Sequence, residues 1–547
     1  MKLISIVTLL TFAILSCNSN SKLNQNELRS EKANVISFSK NNAKKAGTTE
    51  PAFSKQFTLN EDEFLTAHFS LDQPLVQSLQ QLDPSLSEEE LLQKGNFQFS
   101  ILVDDEVVYV ENLNKGAGTL ESKTKQLQHT VPLIAPQPLD FWGWFLWLKF
   151  MKMGGGQDKL SIGKHSLSIE VRPYLNNEKL QVGNLLAKGN IAFDVRDIPV
   201  DKSAIAIQEI KPNSGWNLSK APFDKTKIEA LNKKIAQKRF EDINGIVVIK
   251  EGELLLEEYF NGSERDALHD PRSVGKTFAS TMMGIAIEEN HIKNVDQELK
   301  EFYDLKSYEN YSPAKDQVTL KSLLTMSSGF IGDDNDWSNP GNEENMYPTK
   351  NWVKFTLDLP MNQEKVMGKD YAYFTAGVVV LGDIIHKSVP SGLVSYADKK
   401  LFAPLGITNY EWQYTPQKVG NTAGGIRLRA VDFAKYGQLY KNKGKWNNKQ
   451  IIPEQWVATS LSRQVKQINH GENAYYGYLF WNKIYTVDGK DYEVSFCTGN
   501  GGNKIFIFKD IPFVIVITSS AYGKPYAHPD ADKIMTEYIL PAVLADQ

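Results

Sequence analysis

The chain has 547 residues, with 61 Lys and Arg against 65 Asp and Glu. That length suits about two to four domains, and the absence of a basic block leaves nucleic-acid binding without electrostatic support. The only two cysteines, Cys17 and Cys497, cannot supply a disulfide framework if the first is modified, so the fold has to stand on its hydrophobic core.

Met1-Lys2 and the apolar run from Leu3 to Leu15 read as a secretory signal, too short for a membrane span. The run ends Ile14-Leu15-Ser16-Cys17. This resembles a bacterial lipoprotein signal over residues 1–17. The resemblance implies a lipidated Cys17 and a lipid-anchored place in the cell envelope, at the periplasmic face or outer membrane. An ordinary signal peptide with an incidental cysteine is the plain alternative. Residues 18–52, rich in Asn, Ser, Lys and Gln, read as a flexible tether.

From residue 53 to 200 the pattern is alternation, predicting a β-rich, sandwich-like accessory domain. Phe97 to Val103, Asp104-Asp105 and Glu106 to Val110 spell a hairpin with its turn at the two aspartates. His165 to Pro173 and Ile191 to Val195 alternate in the same way. Between them, Phe141 to Phe150 is strongly aromatic and too short to span a bilayer as a helix. It could be buried at a domain interface, touch a membrane surface or line a ligand site. Residues 201–221 read as a linker.

Residues 222–547 carry the chemistry. An amphipathic helix from Asp224 to Lys238 precedes two strands, Gly245 to Ile249 and Leu254 to Phe260. Ser273-Val274-Gly275-Lys276 then opens an apolar helix, which puts Ser273 and Lys276 on one face. A serine hydroxyl is a weak nucleophile until a base takes its proton, and a lysine can do this where its surroundings lower its pKa. Next come a Thr319-capped helix expected to stop at Gly329, an apolar helix after Tyr373, a helix from Ala430 to Tyr440, three late strands and a last helix. Strands from both chain ends would form one antiparallel sheet, with a helical region inserted: an α+β fold. No His/Asp/Glu cluster has metal-ligand spacing. His269 and His291 read as structural.

Ser273-x-x-Lys276, Tyr373-Phe374-Thr375, Cys497-Thr498-Gly499, Leu323 to Gly329, Gly424 to Arg427 and Tyr476-Gly477-Tyr478 together resemble the serine beta-lactamase and penicillin-binding-protein superfamily. The likeness is to its class C branch of esterases, D-aminopeptidases, D,D-peptidases and 6-aminohexanoate-oligomer hydrolases. The resemblance implies Ser273 as nucleophile, Lys276 as its base or proton partner, and Tyr373 as proton carrier, with Tyr371 a competing candidate. It also implies an oxyanion hole from the N–H groups of Ser273 and Asn500, with Gly499, Thr498 and Thr375 beside the substrate. No metal or organic cofactor is called for. Two departures stand out. Thr375 replaces an asparagine, though its hydroxyl could hold Lys276. Cys497 replaces a lysine or histidine that helps bind a substrate carboxylate. The expected activity is therefore cell-envelope hydrolysis of a small-molecule or peptide-like ester or uncharged amide through a Ser273 acyl-enzyme. The alternatives are a peptidoglycan D,D-peptidase or beta-lactamase, and a non-catalytic envelope binding protein.

Overall fold

The computed structural model describes residues 34–41, 51–137, 141–467 and 473–544. Cys17 and the signal segment lie outside them. The chain divides into two compact units, one up to Asp197 and one from Ile198.

In the first unit, among the described residues, a seven-stranded and a four-stranded sheet contribute to one core. The predicted hairpin is there: Gly95–Val103 pairs antiparallel with Glu106–Asn112. Asp104 and Asp105 turn it at φ 51° and 64°, the left-handed pair that a two-residue hairpin with matching twist requires. The expected tether is shorter than the composition suggests. Asn34–Val35 pairs with Ala187–Lys188, Ser37–Ser39 pairs with the strand Leu65–Ser70, and Phe38 is buried in the core. Hydrogen bonding to sheet edges overrides the polar composition there.

The aromatic stretch forms a helix, Phe141–Lys152. Leu146, Trp147 and Phe150 are buried in this unit's own core, with Phe150 and Phe193 both against Trp147. Trp142, Phe145 and Lys149 face a cavity of about 970 Å³ between this helix, the end of the hairpin and residues 114–130.

The second unit is built on an eight-stranded antiparallel sheet. Its strands in chain order are β1 (Ile243–Lys250), β2 (Glu253–Tyr259), β3 (Val465–Lys466), β4 (Tyr475–Tyr476), β5 (Trp481–Val487), β6 (Lys490–Gly499), β7 (Asn503–Phe508) and β8 (Phe513–Ser519). Their order across the sheet is β2-β1-β8-β7-β6-β5-β4-β3, so both chain ends contribute, as the sequence predicts. One face carries α1 (Lys225–Ala236) and the C-terminal helical stretch. The other carries α2 (Lys276–Glu288), α3 (Thr375–Ser388) and α4 (Ala430–Lys441). The two cores are separate because period-2 alternation sends successive strand residues to opposite faces.

Residues 201–221, expected as a linker, are tied to this unit. Leu254 N–H donates to Asn217 O, Ser219 N–H to Leu254 O, and Trp216 Nε1 to Val431 O. Helix α2 is buried on all sides from Lys276 to Ala286, as its near-continuous apolar sequence requires. Phe278 stacks on Tyr436 with ring centroids 4.1 Å apart. The helix capped by Thr319 ends at Leu324, earlier than expected. Residues 325–329 instead form a loop that braces the segment before α3: Ala372 N–H donates to Met326 O, Gly368 N–H to Ser327 O and Asn362 N–H to Gly329 O.

Candidate functional site

Ser273 lies in a tight 3₁₀ turn, Arg272–Gly275, that runs directly into α2. The turn is entered through Arg272 at φ 52°, a left-handed conformation disfavoured for a bulky residue. Asp270 Oδ1 accepts the Arg272 N–H at 3.1 Å, and the guanidinium lies 4.4 Å from the Tyr522 ring centroid. Two loops crowd this turn. A Cβ at Gly499 would sit 1.9 Å from Pro271 O and 2.9 Å from Ser273 N; one at Gly424 would sit 2.5 Å from Arg272 O. Both positions need glycine so that backbone can approach backbone.

Lys276 is 1% exposed. Its Nζ donates to Ser273 Oγ at 2.7 Å and to Ala423 O at 2.9 Å, and it lies 5.1 Å from the Tyr373 ring centroid. The Gly424-Gly425 loop thus has a second task, since the residue before it anchors the lysine. Tyr373 stands beside Ser273, which acts to hold its phenol down. Tyr371, the competing candidate, packs on Tyr476 and Trp481 with centroids 5.4 and 6.2 Å away. It is Tyr373 that reaches Ser273.

Burial by itself would push Lys276 down. The Tyr373 oxygen and the carboxylates of Glu343 and Asp334 outweigh it and hold the ammonium above the ordinary lysine range. This reverses the lowered lysine expected from the sequence. Burial also lifts the Tyr373 phenol, against the pull of Lys276 and Ser273. The resting site therefore pairs an ammonium with a neutral phenol.

Thr375 opens α3. Its N–H donates to Asp334 Oδ2 at 2.7 Å, and its hydroxyl does not hold Lys276, whose Nζ bonds to Ser273 Oγ and Ala423 O instead. Thr498, Gly499 and Asn500, at the end of β6, line the same cavity as Ser273 and Tyr373. That cavity measures about 430 Å³. Asn500 is fixed by Gly523 N–H donating to its Oδ1 at 2.8 Å and by Asn503 Nδ2 donating to its carbonyl at 3.0 Å. Cys497 points to the opposite face. It is fully buried, and burial pushes its thiol up to about 12. His269 is buried too, and desolvation lowers it to about 4.

Several cavity residues carry no motif. Lys504 of β7 sits directly across from Thr498 in the antiparallel register, so both project from the same face. It is 4% exposed and ion-paired with Asp532, which also bonds the Tyr485 hydroxyl at 2.9 Å. His528 Nδ1 lies 3.3 Å from Thr498 Oγ1, and burial lowers that histidine to about 4. Asp334 and Glu343 close the other side. Burial, and then Glu343, raises Asp334 to about 6. A cross-strand partner and an irregular loop leave no pattern of spacing that sequence reading could use.

The chain is similar to many solved structures at low identity, three of which illustrate the range. One is an octameric penicillin-binding protein homologue from Pyrococcus abyssi, with 17% identity, a TM-score of 0.44, and coverage of 58% of this chain and 77% of that one. Another is a penicillin-binding protein homologue from Caulobacter crescentus, with 13% identity, a TM-score of 0.44, and coverage of 59% and 97%. The third is a D-stereospecific amidohydrolase from Streptomyces sp., with 14% identity, a TM-score of 0.42, and coverage of 54% and 94%. No curated protein matches the sequence. The family model described as Beta-lactamase matches residues 232–537, more than half of the chain and nearly all of the unit that carries Ser273, Lys276 and Tyr373. The chain belongs to the Beta-lactamase family of serine hydrolases.

Proposed function

We propose that this protein hydrolyses an ester or an amide that lacks a carboxylate, through an acyl-enzyme on Ser273. The observation that carries the reading is the contact of Ser273 Oγ with Lys276 Nζ at 2.7 Å, with the Tyr373 ring 5.1 Å from the same Nζ, on the wall of an open cavity. Once the Lys276–Tyr373 pair has lost one proton it can take another from Ser273. Ser273 Oγ then bonds the carbonyl carbon. The carbonyl oxygen becomes an oxyanion facing the N–H groups of Ser273 and Asn500. The bond to the leaving group breaks, and that group departs with the proton by way of Tyr373. Water adds in the reverse sense and frees Ser273, so ester or amide plus water gives acid plus alcohol or amine.

The choice against carboxylate-bearing substrates rests on the face that Cys497 takes and on the pairing of Lys504 with Asp532. A fluorescent penicillin is expected to leave the protein unlabelled at high concentration, and covalent labelling would favour the D,D-peptidase alternative. The N-terminal sequence supports a lipid-anchored envelope protein. Mass spectrometry of the mature N-terminus should find a diacylated or triacylated Cys17.

The direct test is covalent trapping of the soluble protein with a fluorophosphonate. Labelling should map to Ser273 and vanish in Ser273→Ala without loss of folding. Tyr373→Phe should slow it by about 10²-fold or more, the usual weight of a positioned proton carrier. A well-folded protein left unlabelled would turn attention to the non-catalytic reading.

A further inference from the structure

The cavity beside Ser273 has two unlike charged walls. On one, two lysines share a single carboxylate. Lys504 pairs with Asp532, Lys483 Nζ lies 3.6 Å from the same carboxylate, and His528 is neutral. The other is the loop 333–344, which holds Asp333, Asp334, Asp336, Glu343 and Glu344 and no lysine or arginine. None of these five forms an ion pair among the described residues.

Asp334 and Glu343 line the cavity itself. Asp334 is fixed by the N–H groups of Glu343 and Thr375, which donate to its two oxygens at 2.8 and 2.7 Å. Glu343 accepts the Tyr347 hydroxyl on Oε2 at 2.7 Å, and its Oε1 accepts nothing among the described residues. Both carboxylates act on Lys276 across the cavity mouth.

A separate observation points to a ligand. Gln467 lines the same cavity and is 1% exposed. Its Nε2 donates to Tyr475 O at 3.1 Å, but its buried Oε1 accepts no hydrogen bond among the described residues. A buried, unpaired acceptor is costly unless something donates to it. The rings of Tyr373, Trp481 and Phe496 complete the lining, and aromatic faces attract cations. On the Asp334 and Glu343 side, the unused capacity is therefore for accepting hydrogen bonds and balancing positive charge.

We propose that the substrate carries a protonated amine, held by Glu343 and Asp334 in the cavity beside Ser273, so that the ester or amide cleaved is cationic. This rests on the Ser273 acyl-enzyme reading and replaces the uncharged substrate expected from the sequence with one that is positively charged.

The test uses a matched pair of fluorophosphonates, one with a 6-aminohexyl tail and one with the same tail N-acetylated. It reads the second-order rate of Ser273 labelling by each. The wild type should react about tenfold faster with the amine probe, the size expected of one charge-assisted hydrogen bond. Glu343→Gln should bring the ratio of the two rates close to one, with the melting temperature checking the fold. Asp334→Asn, a second variant of the same shape as the original residue, should lower the ratio as well. The ratio is the readout, because both carboxylates also act on Lys276 and would alter the two rates together. Equal rates in the wild type, or a ratio unchanged in both variants, overturn the proposal while leaving the nucleophile established. Failure of both probes to label Ser273 overturns the hydrolase reading and the proposal with it.

Discussion

Lys276 and Tyr373 share one corner with Ser273, and each is held above its ordinary pKa. The sign of the pH dependence follows. The pair keeps both protons at neutral pH and yields the first only on the alkaline side, so the fraction able to deprotonate Ser273 grows as pH rises. Fluorophosphonate labelling rates, followed from about pH 6 to about pH 10, should climb throughout. A plateau near neutrality would mean that the pair loses its proton earlier than this geometry allows. The close approach at Gly499 supports a second prediction. Gly499→Ala would drive a methyl group into Pro271 O and Ser273 N, so the β6 end and the nucleophile turn must part. The expected result is a stability loss of about 1–3 kcal/mol by denaturant titration, together with near-complete loss of Ser273 labelling.

At the scale of elements, local signals succeed where the chain satisfies itself locally. The Asp104-Asp105 turn joins strands of matching twist because both residues accept positive φ. Both are exposed, but only Asp104 has partners among the described residues: it accepts Ser166 N–H at 2.8 Å and pairs with His165. Asp105→Gly should therefore raise stability by about 0.5 kcal/mol, and Asp104→Gly should not, a contrast that urea midpoints can check. Strand β5 is the opposite case. Trp481 to Val487 alternates poorly, and its place in the sheet is set by pairing with β6 from Trp481↔Phe496 to Val487↔Lys490.

At the scale of the molecule, each unit owns a core. Phe193 is 1% exposed and stacks on Phe57 at 5.0 Å in the first unit, while the nucleophile helix is packed within the second. Phe193→Ala should cost the first unit about 3–5 kcal/mol and leave the rate of Ser273 labelling unchanged at a temperature where both units remain folded. Calorimetry together with the labelling assay checks both halves of that statement.

The sequence by itself determined the nucleophile region, the α+β class and the sheet drawn from both chain ends. Those features are written locally, in the three-residue step from Ser273 to Lys276, in alternating strands and in glycines wherever backbone meets backbone. Only the tertiary structure decided the protonation of Lys276, because the groups that hold it as an ammonium, Tyr373, Glu343 and Asp334, come from distant points in the chain. It also decided that Thr375 leaves the lysine to Ala423 O, that Lys504 stands across the sheet from Thr498, and that the aromatic helix belongs to the core of its own unit. Each of these depends on register or on loop path, which bring together residues that share no spacing along the chain.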